Sequence, residues 1–241
     1  MVRKPIFDMV REAAPTVSVG MLTADMLHLG DDLAAIAQAG VQLLHVDVMD
    51  GVFCPMMTLG APVVKAVKTP MLKDVHLMIR NPLAHLDAYE AAGADMITFA
   101  VEGADHPHRV LQAIGEMTNA NDPARGVLRG VSLNPGTPLG VIEGLLDELD
   151  MVLLLAVNPG WRGQKFIEAT QRRIADLRQM LDKAGVDVLV MVDGGIKRAN
   201  IAEVAAMGPD LIVTGSAVFD GKAAAENARF MLEAVAAAAK T

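Results

Sequence analysis

Three short stretches carry side chains that could do chemistry together. "LLHVDVMDG", residues 43–51, sets His45, Asp47 and Met49 on alternate positions of an apolar run, "DVHLMI" carries His76 and Met78, and "VDGG" carries Asp193. On a strand, alternation turns His45, Asp47 and Met49 to one side and Val46, Val48 and Asp50 to the other. A core-facing imidazole and carboxylate are costly to desolvate without partners. Two imidazoles and two carboxylates suit a borderline divalent cation: zinc, iron, manganese or cobalt. A structural zinc site would more often use thiolates, and Cys54 is the only cysteine. The other reading of these four residues is a satisfied polar network without an ion.

The same groups read as proton-transfer chemistry. Asp47 and Asp193 on opposite walls of a pocket, both ligating a cation, could take a proton from one face of a substrate carbon and return one to the other. The cation would act as a Lewis acid on the adjoining carbonyl. Epimerisation follows from that geometry. A phosphate handle is indicated separately by three glycine-bearing turns, "NPGWRGQKF", "VDGGIKRAN" and "VTGSAVF". Their backbone N–H groups can hold an anion without a basic surface.

The elements that must position these residues repeat along the chain. Eight short apolar runs each precede a longer amphipathic stretch, from "TVSVGML" with its helix after Asp25 to "DLIVTGSA" with "KAAAENARFMLEAVAAAA". The fifth unit pairs "GVLRGVSL" with a helix over "PLGVIEGLLDEL". Such repetition predicts a parallel sheet covered by helices. Eight units in a chain of 241 residues match a closed (β/α)8 TIM barrel, whose active site lies at the carboxyl ends of the strands. An open doubly wound sheet would place a G-x-G-x-x-G turn after its first strand, where "TADMLHL" stands. The barrel is expected over residues 16–241, preceded by an N-terminal arm or short helix over residues 1–15.

Composition narrows the partners. A formal charge of −8 and 3% aromatic residues argue against a nucleic-acid surface. No apolar run approaches the roughly 20 residues of a membrane span, and the opening fifteen residues resemble neither a secretory signal nor a transit peptide. A single cysteine suits a reducing compartment, so a soluble, cytoplasmic protein is expected.

With these motifs in view, "HVDVMDGVFCP", "DVHLMI", "NPGTP", "VNPGWRGQKF", "VDGGI" and "TGSAVF", the chain from about Val17 onward resembles the ribulose-phosphate 3-epimerases of the pentose phosphate pathway and Calvin cycle. The resemblance implies one divalent metal held by His45, Asp47, His76 and Asp193, with Asp47 and Asp193 as the acid–base pair. It implies capping of the reacting atoms by Met49 and Met78. It sets the phosphate and sugar contacts on Gly160, Trp161, Arg162, Gly163, Gly194, Gly195, Gly215 and Ser216. A phosphorylated ketose is the implied substrate, and a homo-oligomer the implied assembly.

Departures from the family pattern cluster around the pocket. Gly20 stands where the family places a substrate-binding serine, and Ser18, on the same face, lies deeper by about 6–7 Å. Met56 replaces an asparagine, Ala100 a histidine, and Leu155 a third capping methionine. Arg162 stands in place of a glycine, beside Trp161, and either reads an acidic group of the substrate or is a solvated loop charge. The leading function is 3-epimerisation of D-ribulose 5-phosphate to D-xylulose 5-phosphate, or of another phosphorylated ketose such as D-allulose 6-phosphate. A lyase or decarboxylase of the same barrel type would resemble Asp-x-Lys-x-x-Asp where this chain reads "DVMD", and a non-catalytic phosphosugar-binding barrel would be expected to lose an acid or a ligand first.

Overall fold

A computed structural model describes residues 4–161 and 163–238. Eight strands close into a barrel in chain order, each parallel to its neighbours. They are β1 (Thr16–Gly20), β2 (Leu43–Met49), β3 (Leu72–Met78), β4 (Met96–Ala100), β5 (Leu128–Leu133), β6 (Met151–Leu155), β7 (Leu189–Asp193) and β8 (Leu211–Thr214). Nearly every strand residue is buried, as expected of a parallel sheet covered on both faces. The helices α1 (Pro5–Ala13), α2 (Leu29–Gln38), α3 (Ala61–Ala66), α4 (Leu86–Ala91), α5 (Pro107–Glu116), α6 (Ala169–Ala184), α7 (Ile201–Ala206) and α8 (Ala224–Ala238) complete the fold.

The fifth unit differs from its expected form. Leu139–Glu148 winds as a 3-10 segment instead of an α-helix. Gly140 and Gly144 fall within it and raise the entropic cost of regular helix, while Ile142, Leu145 and Leu146 still reach the core. The second helix begins at Leu29, after a turn in which Asp25 accepts the backbone N–H groups of Leu27 and His28.

Two cores result from the alternation of strand side chains. Outward residues such as Val17, Leu44, Val46, Val131 and Val190 pack under the helices. Inward residues at the amino end, Leu43, Met96, Leu128, Met151, Leu189 and Leu211, meet Ile6, Phe7 and Val10 of α1. The leading segment is therefore a helix that stoppers the barrel floor. Pro5 sits in its first turn, where a missing N–H costs nothing. Ile6 N–H donates to Arg125 O at 3.1 Å, and Arg11 donates to Asp210 at 2.9 Å and to Asp187.

Around that floor one device recurs. Asp95, Asp150 and Asp210 each stand one residue before an even strand, and each accepts the backbone N–H of the strand before it, from Lys73, Arg129 and Val190. Each carboxylate also receives an arginine: Arg125 on Asp95, Arg129 on Asp150, and Arg11 with Arg178 on Asp210. These bonds tie the strand starts together and leave the carboxyl ends open for a site. Truncation of the buried Phe7 to alanine should lower the unfolding free energy by about 3–5 kcal/mol, seen as a lower denaturant midpoint, with no change at the opposite end of the barrel.

Candidate active site at the carboxyl end of the barrel

Strand register brings the candidate residues together. Asp47 pairs across from His76, Met49 from Met78, His45 from both Gly20 and Asp74, and Asp193 from Leu155. All of these positions share the inward face near the strand ends. One ligand atom from each of His45, Asp47, His76 and Asp193 lies within 4.8 Å of the others. Two opposite ligands at ordinary metal distances span about 4.4 Å, so the donor set fits a single cation.

Each imidazole turns one nitrogen into the cluster and gives the other to a partner. His45 Nε2 and His76 Nδ1 lie 3.1 and 3.2 Å from Asp47 Oδ1. On the far sides, His45 Nδ1 meets Asp74 Oδ2 at 2.6 Å and His76 Nε2 meets Ser132 Oγ at 3.0 Å. Ser18 donates its hydroxyl to the same Asp74 oxygen at 2.9 Å. Ser18, His45, Asp74, His76 and Ser132 are all fully buried.

Burial and neighbouring charge set the acids apart. Burial opposes ionisation of Asp47, but the two imidazoles outweigh it and hold its carboxyl well below the usual range. Burial and the Asp47 charge push Asp193 up to about 6, against the pull of both imidazoles. His45 is buried too, yet Asp74 and Asp47 keep its imidazole well above the usual value. Environments that push two neighbouring carboxyl groups apart in their affinity for a proton are what paired acid–base chemistry uses.

Above the cluster opens a cavity of about 730 Å³. Asp47, Met49, Met78, Gly160, Trp161, Gly163, Asp193, Gly194, Gly195, Gly215 and Ser216 all line it, while His45 and His76 are fully buried and are not part of its lining. Trp161 stands 60% exposed at the rim. Arg162 lies outside the described residues. Gly194 and Gly195 have φ of +113° and +70°. A Cβ on Gly195 would stand 2.4 Å from Phe166 N, so only glycine lets the turn after β7 nest against the turn after β6.

Three of the departures, Gly20, Met56 and Leu155, line the cavity. Ser18 does not replace a serine at Gly20, because its hydroxyl is committed to Asp74 below the cavity. Space remains at Gly20: a Cβ there would meet its nearest neighbour, Gly215 Cα, at 3.7 Å. Ala100 lies buried on β4, across from Ser132.

Sequence reasoning missed Asp74, Ser132 and Lys197. Asp74 lies two residues before His76, so the alternation that sends His76 inward sends Asp74 inward too. Ser132 gives no such local signal, since its approach to His76 depends on β4 standing between their strands. Lys197 also lines the cavity, directly after the "VDGGI" turn, and its charge there was legible.

Comparison with known proteins agrees with this geometry. The model of the "Ribulose-phosphate 3 epimerase family" matches residues 16–219. The ribulose-phosphate 3-epimerase of Bacillus subtilis is 41% identical over 206 residues, covering 84% of this chain and 91% of that protein. The chloroplastic ribulose-5-phosphate-3-epimerase of Arabidopsis thaliana is 42% identical over 214 residues, 87% of this chain and 73% of that protein. Among solved structures, KGPDC from Streptococcus mutans in complex with D-R5P superposes with a TM-score of 0.68 at 14% identity, covering 92% of this chain and 98% of its own. The 3-hexulose-6-phosphate synthase of Salmonella typhimurium gives 0.64 at 19%, over 92% and 99%. These two likenesses speak for the barrel alone. Through its family match and its curated relatives, the chain belongs to the ribulose-phosphate 3-epimerase family, a family of isomerases.

Proposed function

We propose that this protein epimerises D-ribulose 5-phosphate and D-xylulose 5-phosphate at C3, with a divalent cation held by His45, Asp47, His76 and Asp193. The observation that carries the reading is two carboxylates, one held ionised and one raised to about 6, sharing a cluster with two imidazoles under an open cavity. Family membership supports the sugar and the reaction.

One carboxylate removes the C3 proton, and the electron pair of the C–H bond delocalises onto the C2 carbonyl to give an enediolate. The other carboxyl group delivers a proton to the opposite face of C3, so atoms and charge balance within the pair. When bound, the cation supplies positive charge beside the oxygen on which negative charge collects. Met49 and Met78, buried or half-buried at the cavity floor, form an apolar, polarisable surface that excludes water from the reacting carbon. The phosphate is assigned to the turns at Gly160, Trp161, Arg162, Gly163, Gly194, Gly195, Gly215 and Ser216, with Lys197 as a nearby cation.

A second reading, epimerisation of a different phosphorylated ketose, draws support from the departures at Gly20 and Met56, where polar groups of the family pattern are missing from the cavity wall. Comparing kcat/KM on D-ribulose 5-phosphate and D-allulose 6-phosphate separates the two, and the pentose is expected to give the larger value.

Asp47→Asn and Asp193→Asn should each lower turnover by about 10²–10⁴-fold, together with solvent deuterium exchange at C3. Retention of turnover by either amide would falsify the paired-acid mechanism. Because Asp193 takes up a proton near pH 6 in the cation-free cluster, protons compete with metal for that carboxylate. The zinc affinity of the chain should therefore fall progressively as pH is lowered, first as His45 takes up a proton and more steeply below about 6 as Asp193 does, measured by competition with a chromophoric chelator.

A further inference from the structure

The two imidazoles of the cluster present opposite nitrogens. His45 offers Nε2 and His76 offers Nδ1, although both reach the same Asp47 oxygen. A neutral imidazole has one lone pair available for a cation, and the hydrogen bond made by the other nitrogen decides which one it is. The selection must come from below the cluster, where buried groups that take no part in proton transfer hold the outer nitrogens.

We propose that Asp74, braced by Ser18, and Ser132 are positioning residues that fix His45 as its Nδ1–H form and His76 as its Nε2–H form. This inference rests on the metal reading given above. Asp74 Oδ2 lies 2.6 Å from His45 Nδ1 and serves as the acceptor there, so the ring proton is placed on Nδ1 and Nε2 is left facing the cluster. Ser18 donates to that same oxygen at 2.9 Å, which leaves the carboxylate little freedom to turn. Strand pairing sets Asp74 directly across from His45, so the contact is built into the register of β2 and β3.

Ser132 selects less strictly. Its hydroxyl, 3.0 Å from His76 Nε2, can accept the ring N–H or donate to a bare nitrogen. With Nδ1 given over to a cation, the hydroxyl accepts from Nε2–H. Ala100, across from Ser132 in the pairing of β4 and β5, has no polar atom in its side chain to compete for this role.

The test uses the full chain, stripped of metal and titrated with zinc against a chromophoric chelator. Long-range ¹H–¹⁵N correlation spectra of histidine-labelled, zinc-loaded protein report which ring nitrogen carries the proton. In the wild-type chain His45 should be protonated at Nδ1 and His76 at Nε2. Asp74→Asn should weaken zinc binding by about 10–100-fold. Ser132→Val should weaken it by about 2–10-fold, the usual worth of one hydrogen bond. Ser132→Thr, of the same volume as valine but with the hydroxyl, should bind zinc like the wild type. Either imidazole found in the opposite form, or a folded Asp74→Asn chain with undiminished affinity, overturns the proposal while leaving the metal reading intact. A wild-type chain that binds no zinc overturns both. If Asp74→Asn does not fold, the wild-type spectrum decides alone.

Discussion

Four ionisable side chains are withdrawn from water at the mouth of this barrel, and none of them could stay charged there alone. Removing a lone charge from water costs several kcal/mol even after relaxation, so the cluster exists only because each charge faces another. Asp47 takes a nitrogen from each imidazole, and His45 is held between two carboxylates. Asp193 has the weakest support of the four, and its raised affinity for a proton follows from that. The barrel serves this arrangement by holding β2 and β3 in a register that sets Asp47 across from His76 and His45 across from Asp74.

The rest of the fold can be understood as the means of keeping that register. Carboxylates at Asp95, Asp150 and Asp210 lock strand starts to their neighbours at the floor, and arginines neutralise them. Charge is thus concentrated in two belts, one at each end of an interior otherwise filled by leucine, methionine and valine. In the floor belt each of these carboxylates faces an arginine. At the mouth the pairing is uneven, and that unevenness raises the affinity of Asp193 for a proton above that of Asp47.

Much of this was legible before any coordinates. The alternation of apolar runs with amphipathic ones carried the barrel, because a parallel strand buried on both faces leaves a different pattern from a surface helix. His45, Asp47, His76 and Asp193 were legible as polar residues on one face of such strands. The support beneath them was not. Ser132 reaches His76 across β4, and Ser18 reaches Asp74 across β2, contacts between residues 56 positions apart in both cases. No local pattern encodes a contact that depends on barrel closure. The 3-10 form of Leu139–Glu148 escaped for another reason: its apolar spacing is helical, and two glycines tip the balance to a tighter winding.

The stopper helix at the floor has a consequence for how the chain is made. Arg11 emerges from the ribosome 199 residues ahead of its partner Asp210, which at about 5–20 residues per second means about 10–40 s of waiting. Throughout that interval the hydrophobic seat of Ile6, Phe7 and Val10 is incomplete, because Leu211 of the barrel floor is yet to be made. This apolar face is made long before its cover is complete, which leaves it open to capture by a chaperone during translation.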